Sequence, residues 1–192
     1  MVVVPHRVHY TVEDYLEFED GNEAKHEYLD GQILAMAGGT PEHAALSLAF
    51  GALVANQLKG GRCRAYSSDL RVRIAPTTLI TYPDAAVICG PADKDPAAPS
   101  AVTNPTLLAE VLSPSTAEYD RTDKFDHYRQ LKSLQQYVLI DPKTETVELR
   151  TRGPNGAWTS ATHRAGDSLE LASIGVRFEV KELFAMATEP RA

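Results

Sequence analysis

The chain has 192 residues, of which 43% are hydrophobic and 23% are charged. These are the proportions of an ordinary globular protein, so wholesale disorder, a collagen-like fibre and a coiled coil are excluded. The length predicts a single domain over residues 1–192, large enough to bury a core without disulfides or structural metal. The net charge of −7 argues against strong non-specific binding to nucleic acid, although a local basic cleft remains compatible with it.

The cysteines and the apolar segments indicate the compartment. Cys63 and Cys89 form no CxxC motif and have no neighbouring histidine cluster, which argues against a zinc site made from them alone. So few cysteines in a chain of this size predict free thiols and an intracellular protein. Residues 1–4 are too short for a signal-peptide core. The least polar stretch, residues 44–58, falls short of about 20 apolar residues, so we expect a cytoplasmic protein that does not enter a membrane.

The predicted elements begin with two helices separated by a β-hairpin. Thr11 caps a short helix with an acid in its first turn, and Gly21 ends it. Asp30-Gly31 between two apolar segments is a strong hairpin signal. Thr40-Pro41-Glu42 then opens a second helix with a cap, a proline at the first helical position and an acid in the first turn. Gly60-Gly61 ends that helix.

The rest of the chain alternates strands and helices. Strands are predicted at Arg62–Ser67, Leu70–Ile74, Asp84–Ile88, Thr106–Leu112, Gln136–Ile140, Val147–Arg150 and Trp158–His163. The proline-containing segment Gly90–Pro105 is predicted to be an exposed loop. A capping box of Ser115 and Glu118 predicts a helix that continues to about Lys132, and a final helix is predicted at Val180–Ala187. This order predicts an α/β (α+β) fold with a mixed β-sheet.

Two acids lie where a negative charge is costly. Glu110 interrupts the apolar run Leu107–Leu112, which is typical of a central buried strand. A charge there costs free energy unless it is paired or binds a metal. Asp84 opens a second apolar strand directly after Pro83. Carboxylates on neighbouring strands suit a hard cation such as Mg²⁺, which takes one or two carboxylates together with water and phosphate oxygens.

Lys124 is the third candidate. It is spaced i, i+4, i+7 with Tyr128 and Leu131, so the three share one helix face. Because Tyr128 and Leu131 are predicted to face the core, Lys124 is predicted to point inward, toward the end of the Glu110 strand. There it would hold a nucleophilic water or stabilise charge on a phosphate. Each candidate also has an ordinary alternative: a Pro-Asp turn, an acid facing solvent at a sheet edge, and a lysine extending into water.

Other basic residues have two interpretations. His43, in the first turn of the second helix, would contact a phosphate at the helix N-terminus, but we favour a partly exposed packing role. Arg62 and Arg64 are two residues apart, as are Arg71 and Arg73, so each pair shares one face of its strand. These faces would either line a DNA-binding surface or be solvated.

Four motifs occur in a specific order along the chain. They are Tyr82-Pro83-Asp84-Ala85-Ala86-Val87-Ile88, Leu108-Ala109-Glu110-Val111-Leu112-Ser113-Pro114-Ser115-Thr116, the segment Asp120–Tyr128 with Lys124, and Gln136-Tyr137-Val138-Leu139-Ile140-Asp141-Pro142. Thr11–Tyr15 and Glu27-Tyr28-Leu29-Asp30-Gly31-Gln32-Ile33 precede them. Together these motifs resemble the Uma-type family of candidate restriction endonucleases, within the PD-(D/E)xK nuclease superfamily. The resemblance spans roughly Thr11 to Phe184.

The resemblance implies both a fold and a site. It implies a restriction-endonuclease-like mixed β-sheet core flanked by helices, with additional β-hairpins, and Asp84 and Glu110 as ligands of Mg²⁺, which Mn²⁺ would replace. The superfamily's lysine, two residues after the second acid, corresponds to Leu112 here, and the resemblance suggests that it has moved to the next helix as Lys124. Glu27 is similar to an N-terminal acid near the metal in such folds, although a solvent-facing strand glutamate explains it about as well.

These residues predict a Mg²⁺-dependent endonuclease that hydrolyses DNA phosphodiester bonds with catalytic residues Asp84, Glu110 and Lys124. The cation would activate water and screen the scissile phosphate, and Lys124 would orient or help deprotonate the water. The alternative is a catalytically silent binding protein that keeps the nuclease fold, which the acidic net charge and Leu112 favour. Cutting both strands needs two active sites or two events, so we expect a homodimer, for which C₂ symmetry is the commonest form.

Overall fold

A computed structural model describes residues 9–36 and 38–188. The α-helices among these residues are α1 Val12–Asp20, α2 Pro41–Gln57, α3 Ala117–Arg121, α4 Asp123–Tyr128 and α5 Val180–Ala187. The β-strands are β1 His26–Leu29, β2 Gln32–Ala35, β3 Cys63–Ser67, β4 Arg71–Ile74, β5 Leu79–Thr81, β6 Ala85–Cys89, β7 Ala101–Val102, β8 Leu107–Val111, β9 Gln136–Asp141, β10 Thr146–Arg152, β11 Trp158–Arg164, β12 Ser168–Leu171 and β13 Val176–Glu179. The predicted α+β fold with a mixed sheet, flanking helices and extra hairpins is confirmed.

A six-stranded sheet forms the centre of the fold. Its strand order is β11-β10-β9-β8-β6-β3, with β8 and β9 parallel and the other neighbours antiparallel. One face packs against α2, α5 and the β12–β13 hairpin. The other face packs against α4 and part of a second sheet. Burial on both faces explains why β8 and β6 read as near-continuous apolar runs.

A second, five-stranded sheet is connected to the first through the segment that contains Asp84. Its order is β2-β1-β5-β4-β7. The chain leaves β5 at Thr81, passes through Tyr82-Pro83-Asp84 and enters β6 of the six-stranded sheet. Asp84 therefore lies at the junction of the two sheets, while β1 brings Glu27 toward the same junction.

Caps and turns form where the sequence predicts them. The Thr11 side chain accepts from the Asp14 N–H and the Asp14 side chain accepts from the Thr11 N–H, which completes a capping box. Thr40 caps α2 by accepting from the His43 N–H. Asp30 and Gly31 both have positive φ angles, 47° and 78°, as a type I′ hairpin turn requires.

The helix predicted from Ser115 to Lys132 is wrong in two respects. It consists of two short helices, α3 and α4, separated at Thr122, whose φ of −116° and ψ of −89° are not helical. The Thr122 hydroxyl donates to the Glu118 carbonyl, a local bond of the kind that bends helices. The predicted capping box is absent, since Thr116 occupies the N-cap position and its side chain makes no capping hydrogen bond.

The segment predicted to be an exposed loop, Gly90–Pro105, is partly buried. Ala98 and Ala101 are fully buried, and β7 pairs in parallel with β4. Asp95 lies 3.3 Å from the Arg73 guanidinium and accepts from the Ala97 and Ala98 N–H groups. The segment folds back because this carboxylate anchors it. The β12–β13 hairpin is also absent from the sequence predictions, although Leu169 and Leu171 are buried in alternation with polar residues.

The prediction of free thiols is wrong for the structure, which pairs Cys63 with Cys89 in a disulfide. The two residues lie directly opposite each other on β3 and β6, with Cα atoms 3.9 Å apart. Counting cysteines cannot reveal this contact, because it depends on the register between two strands that are separated in sequence. Within residues 9–36 and 38–188, no helix is long and apolar enough to cross a membrane.

Candidate active site

Asp84 is held by contacts with the end of β8 and with α2. Its Oδ2 accepts a hydrogen bond from the Val111 N–H at 2.7 Å and lies 3.0 Å from His43 Nε2. Its backbone carbonyl accepts from the Ser47 hydroxyl at 3.2 Å. Because His43 and Ser47 are one turn apart on α2, this helix contacts both the side chain and the backbone of Asp84.

Glu110 on β8 lies directly opposite Asp84, the residue that precedes the adjacent strand β6. The antiparallel register pairs Ala85 with Ala109, which places Asp84 opposite Glu110. The Asp84 N–H donates to Glu110 Oε2 at 3.4 Å. The Tyr128 hydroxyl donates to Glu110 Oε1 at 2.7 Å. Glu110 is 4% exposed, so the predicted buried strand position is confirmed.

Lys124 points inward, as its spacing with Tyr128 and Leu131 predicts. Its Nζ lies 3.0 Å from Glu110 Oε1, and its side chain is 6% exposed. The same nitrogen lies 3.3 Å from Glu27 Oε1. Glu27 does not face solvent, since it is 8% exposed and its carboxylate accepts from the Thr81 hydroxyl. The structure thus brings together all four residues singled out in the sequence.

Three further side chains belong to this cluster and were missed as site residues. Asp120 is 3% exposed and its Oδ1 lies 3.6 Å from Lys124 Nζ. The i, i+4 spacing of Asp120 and Lys124 is a sequence signal that could have identified it. Tyr128 was predicted only to face the core, and its hydroxyl binds Glu110. His43, for which a packing role was favoured, contacts Asp84 instead.

The electrostatics of the cluster are dominated by negative charge. Burial raises the pKa of Glu110 to about 8, and the nearby charges of Asp84 and Asp120 add to this while Lys124 opposes it. Burial also raises the pKa of Asp120. For Lys124, burial acts to lower the pKa, but Glu110, Glu27 and Asp120 outweigh it and hold the pKa well above its ordinary value. The hydrogen bond to Asp84 raises the pKa of His43.

The donor set fits a hard cation. Within the described part of the chain, no group of three or more His, Cys, Asp or Glu residues is arranged to hold a metal ion. Mg²⁺ does not need such a group, because it is usually bound by one or two carboxylates and keeps several waters. Asp84 and Glu110 supply two adjacent carboxylates. The carboxylates of Glu27 and Asp120 leave an excess of negative charge beside them, which a divalent cation would offset.

The four arginines do not form one surface. Arg62 lies directly before β3 and Arg64 lies on it, both exposed, whereas Arg71 and Arg73 lie on β4 of the other sheet. The Arg71 guanidinium lies 2.9 Å from Asp20, and that of Arg73 lies 3.3 Å from Asp95. Of the two interpretations, a DNA-binding surface therefore loses Arg71 and Arg73 to ion pairs within the chain.

A groove leads to Asp84 from outside. It has a volume of about 930 Å³, and His43 and Asp84 are among its lining residues. One wall is the small-residue face of α2, where Leu48 is 75% exposed. Tyr66 on β3 contributes to the lining as well. Asp84, which is 18% exposed at its side chain, is therefore accessible in a way that Glu110 is not.

Comparisons with known proteins bear on the family and the fold. Residues 12–182 match the model of a family called Uma2, described as "Putative restriction endonuclease". An uncharacterized protein of Synechocystis, slr1290, is 40% identical over 172 residues, covering 90% of each chain. A second, sll1609, is 33% identical over 171 residues, covering 89% of this chain and 96% of that one. A crystal structure from Anabaena variabilis, described as a putative nuclease belonging to DUF820, matches in fold with a TM-score of 0.75 at 20% identity, covering 93% of this chain and 99% of that one.

Proposed function

Since the chain belongs to the Uma2 family of restriction-endonuclease-like proteins, we propose that it is a Mg²⁺-dependent endonuclease that hydrolyses DNA phosphodiester bonds. The observation that carries the proposal is the contact between two carboxylate residues on adjacent strands, with a buried ammonium beside them. The Asp84 N–H donates to Glu110 Oε2 at 3.4 Å, and Lys124 Nζ lies 3.0 Å from Glu110 Oε1.

Asp84 and Glu110 would hold the cation, for which Mn²⁺ is an expected substitute. When bound, Mg²⁺ supplies an activated water and neutralises charge on the scissile phosphate. Asp84 lines the groove and would meet the substrate side of the ion. Glu110 lies deeper, where the Tyr128 hydroxyl and Lys124 fix its Oε1.

Lys124 is expected to act as a hydrogen-bond donor. The surrounding carboxylates hold its pKa well above the ordinary value, so the side chain stays protonated at neutral pH. A protonated lysine does not remove a proton from water. It donates to the attacking water or to a phosphate oxygen and stabilises the charge that develops there. Of the two roles considered for Lys124, orientation is therefore favoured over deprotonation.

The experiment is cleavage of supercoiled plasmid by purified protein with Mg²⁺, Mn²⁺ or EDTA. Asp84→Asn and Glu110→Gln keep the shapes of the two side chains and remove their charges. We expect each to lower the metal-dependent nicking rate by at least about 100-fold, the scale on which a single preorganised catalytic group contributes. Asp126→Asn is the matched control, because Asp126 is an exposed acid on the same helix as Lys124.

Two outcomes would contradict the proposal. Nicking that survives in both Asp84→Asn and Glu110→Gln would place the chemistry elsewhere. Wild-type protein that neither nicks DNA nor takes up Mn²⁺ would favour the alternative, a catalytically silent binding protein with the nuclease fold. The contacts of Lys124 support that alternative, because its ammonium already forms ion pairs with Glu110 and Glu27.

The assembly and the location form part of the proposal. Cleavage of both strands by one active site per chain is simplest for a homodimer with two-fold symmetry, and light scattering after size-exclusion chromatography tests this. We place the enzyme in the cytoplasm, as the sequence analysis predicts. Disulfides are uncommon in that compartment, so the redox state of Cys63 and Cys89 in cell extracts bears on the location directly.

A further inference from the structure

We propose that His43 is a positioning residue that fixes the orientation of the Asp84 carboxylate, so that the oxygen without a hydrogen bond faces the metal ion. This inference rests on the proposed function, because it concerns the same cation. It differs from that proposal in assigning a task to a side chain that is not itself a ligand. The task follows from how the hydrogen bonds of Asp84 are distributed between its two carboxylate oxygens.

Both donors to the Asp84 carboxylate meet on one oxygen. The Val111 N–H lies 2.7 Å from Oδ2, and His43 Nε2 lies 3.0 Å from the same atom. Oδ1 accepts no hydrogen bond from the residues that the structure describes. Rotation about the terminal torsion of an aspartate is broad and roughly two-fold, so one donor alone leaves the carboxylate free to turn. Two donors on Oδ2 leave Oδ1 as the oxygen presented to a cation.

The chain places the imidazole for this contact. Thr40 caps α2 through the His43 N–H at 3.2 Å, which fixes the first turn of the helix. Since Nε2 faces the carboxylate, its hydrogen must be on that nitrogen for the bond to form. Partners that orient metal-binding side chains commonly affect metal affinity by about 10–100-fold when they are replaced.

Gly39 holds the other side of the ring. A Cβ atom at Gly39 would lie 2.7 Å from His43 Nδ1 and 3.1 Å from Cγ. Gly39 is not among the residues with positive φ, so the glycine is required for space and not for backbone conformation. The ring is thus confined between the Gly39 backbone and Asp84, and a methyl group at residue 39 would displace it.

The test is a calorimetric titration of Mn²⁺ into metal-free protein. We expect His43→Ala to weaken Mn²⁺ binding by about 10–100-fold. His43→Gln, whose amide nitrogen reaches about as far as Nε2, should recover most of that affinity. Gly39→Ala should weaken binding while leaving the imidazole in the protein. Asn56→Ala is the control, since Asn56 is exposed near the other end of α2, and this variant should bind Mn²⁺ like wild type.

The outcomes separate this inference from the proposed function. Wild-type protein that binds Mn²⁺ together with an equally tight His43→Ala variant would overturn the role of His43 and leave the metal site standing. Equal losses in His43→Ala and His43→Gln would also overturn it, because a donor at the same reach would then be without effect. Wild-type protein that takes up no Mn²⁺ would overturn both proposals. Should His43→Ala fail to fold in EDTA, Gly39→Ala and His43→Gln decide by the same comparison.

Discussion

The ammonium nitrogen of Lys124 lies 3.0 Å from Glu110 Oε1, with the two side chains only 6% and 5% exposed. This ion pair connects α4 to β8 in the interior. Glu27 at 3.3 Å and Asp120 at 3.6 Å from the same nitrogen surround it with two more carboxylates. Because charges of one sign crowd this buried space, the lysine stabilises the cluster as well as contributing to the proposed chemistry.

Replacing Lys124 by methionine should therefore destabilise the protein. Removing one partner of a buried ion pair typically costs about 3–5 kcal/mol, because the remaining charge is left uncompensated. We expect a loss of that order at pH 8 and a smaller loss at pH 5, because burial raises the pKa of Glu110 and of Asp120, so both take up protons more readily at the lower pH. Urea unfolding in EDTA at the two pH values measures both quantities.

Lys25→Met is the control for that experiment. Lys25 pairs with Asp69 at 2.7 Å, but the Asp69 side chain is 82% exposed. Exposed pairs contribute about 0–1 kcal/mol. Similar losses of unfolding free energy at residues 25 and 124, or a Lys124→Met loss independent of pH, would contradict the assignment of Lys124 as the counter-charge of the cluster.

Glu110 should make the metal-free protein less stable as the pH rises. Burial raises its pKa to about 8 from an ordinary value of 4.5, so the folded protein keeps a proton that the unfolded chain has already released. The stabilisation from this proton is fully present below pH 4.5 and is lost as the pH rises through about 8. The slope of unfolding free energy against pH between 5 and 9, measured in EDTA, should become flatter in Glu110→Gln.

An exposed glutamate gives the matched comparison for that slope. Glu118 is exposed on α3, so Glu118→Gln should keep the wild-type dependence on pH. If Glu110→Gln and Glu118→Gln had the same slope as the wild type, the proton would not be on Glu110.

Much of the site follows from local patterns in the sequence. Asp84 and Glu110 could be placed near each other because each interrupts or opens an apolar strand, and Lys124 could be turned inward because it shares a helix face with Tyr128. The contacts of His43 could not be predicted. They depend on how α2 lies against the junction of two sheets, which no spacing within α2 encodes. Whether these residues bind metal and catalyse cleavage remains a prediction.

The helix that was predicted too long shows where local patterns mislead. Ser115 and Glu118 match a capping box, yet the Ser115 hydroxyl contacts Ser113 and Thr116 takes the N-cap position. The same type of pattern at Thr11 is correct because both reciprocal hydrogen bonds form. Capping motifs describe what a helix start can use, but they carry no information on the break at Thr122, whose backbone is not helical.

Two alanine substitutions test that distinction. Thr40→Ala removes the bond from the His43 N–H to the α2 cap and should cost about 1 kcal/mol of unfolding free energy. Ser115→Ala should cost much less, because Ser115 is exposed and caps no helix. Urea unfolding of the two variants compares them directly. A larger loss of unfolding free energy for Ser115→Ala than for Thr40→Ala would support the capping box that the sequence predicts at Ser115.

The last prediction concerns the two cysteines, which are free thiols by the sequence prediction and form a disulfide in the structure. Cys63 and Cys89 join β3 to β6, the strand that starts directly after Asp84. Closing a loop across 26 residues of sequence separation should stabilise the protein by about 2–4 kcal/mol. Protein purified without reductant should therefore be two hydrogen atoms lighter by mass spectrometry, resist alkylation when denatured, and lose melting temperature in dithiothreitol. Cys63→Ser should melt at one temperature with and without dithiothreitol. Two alkylated thiols in denatured, unreduced protein would instead support the free cysteines that their number predicts.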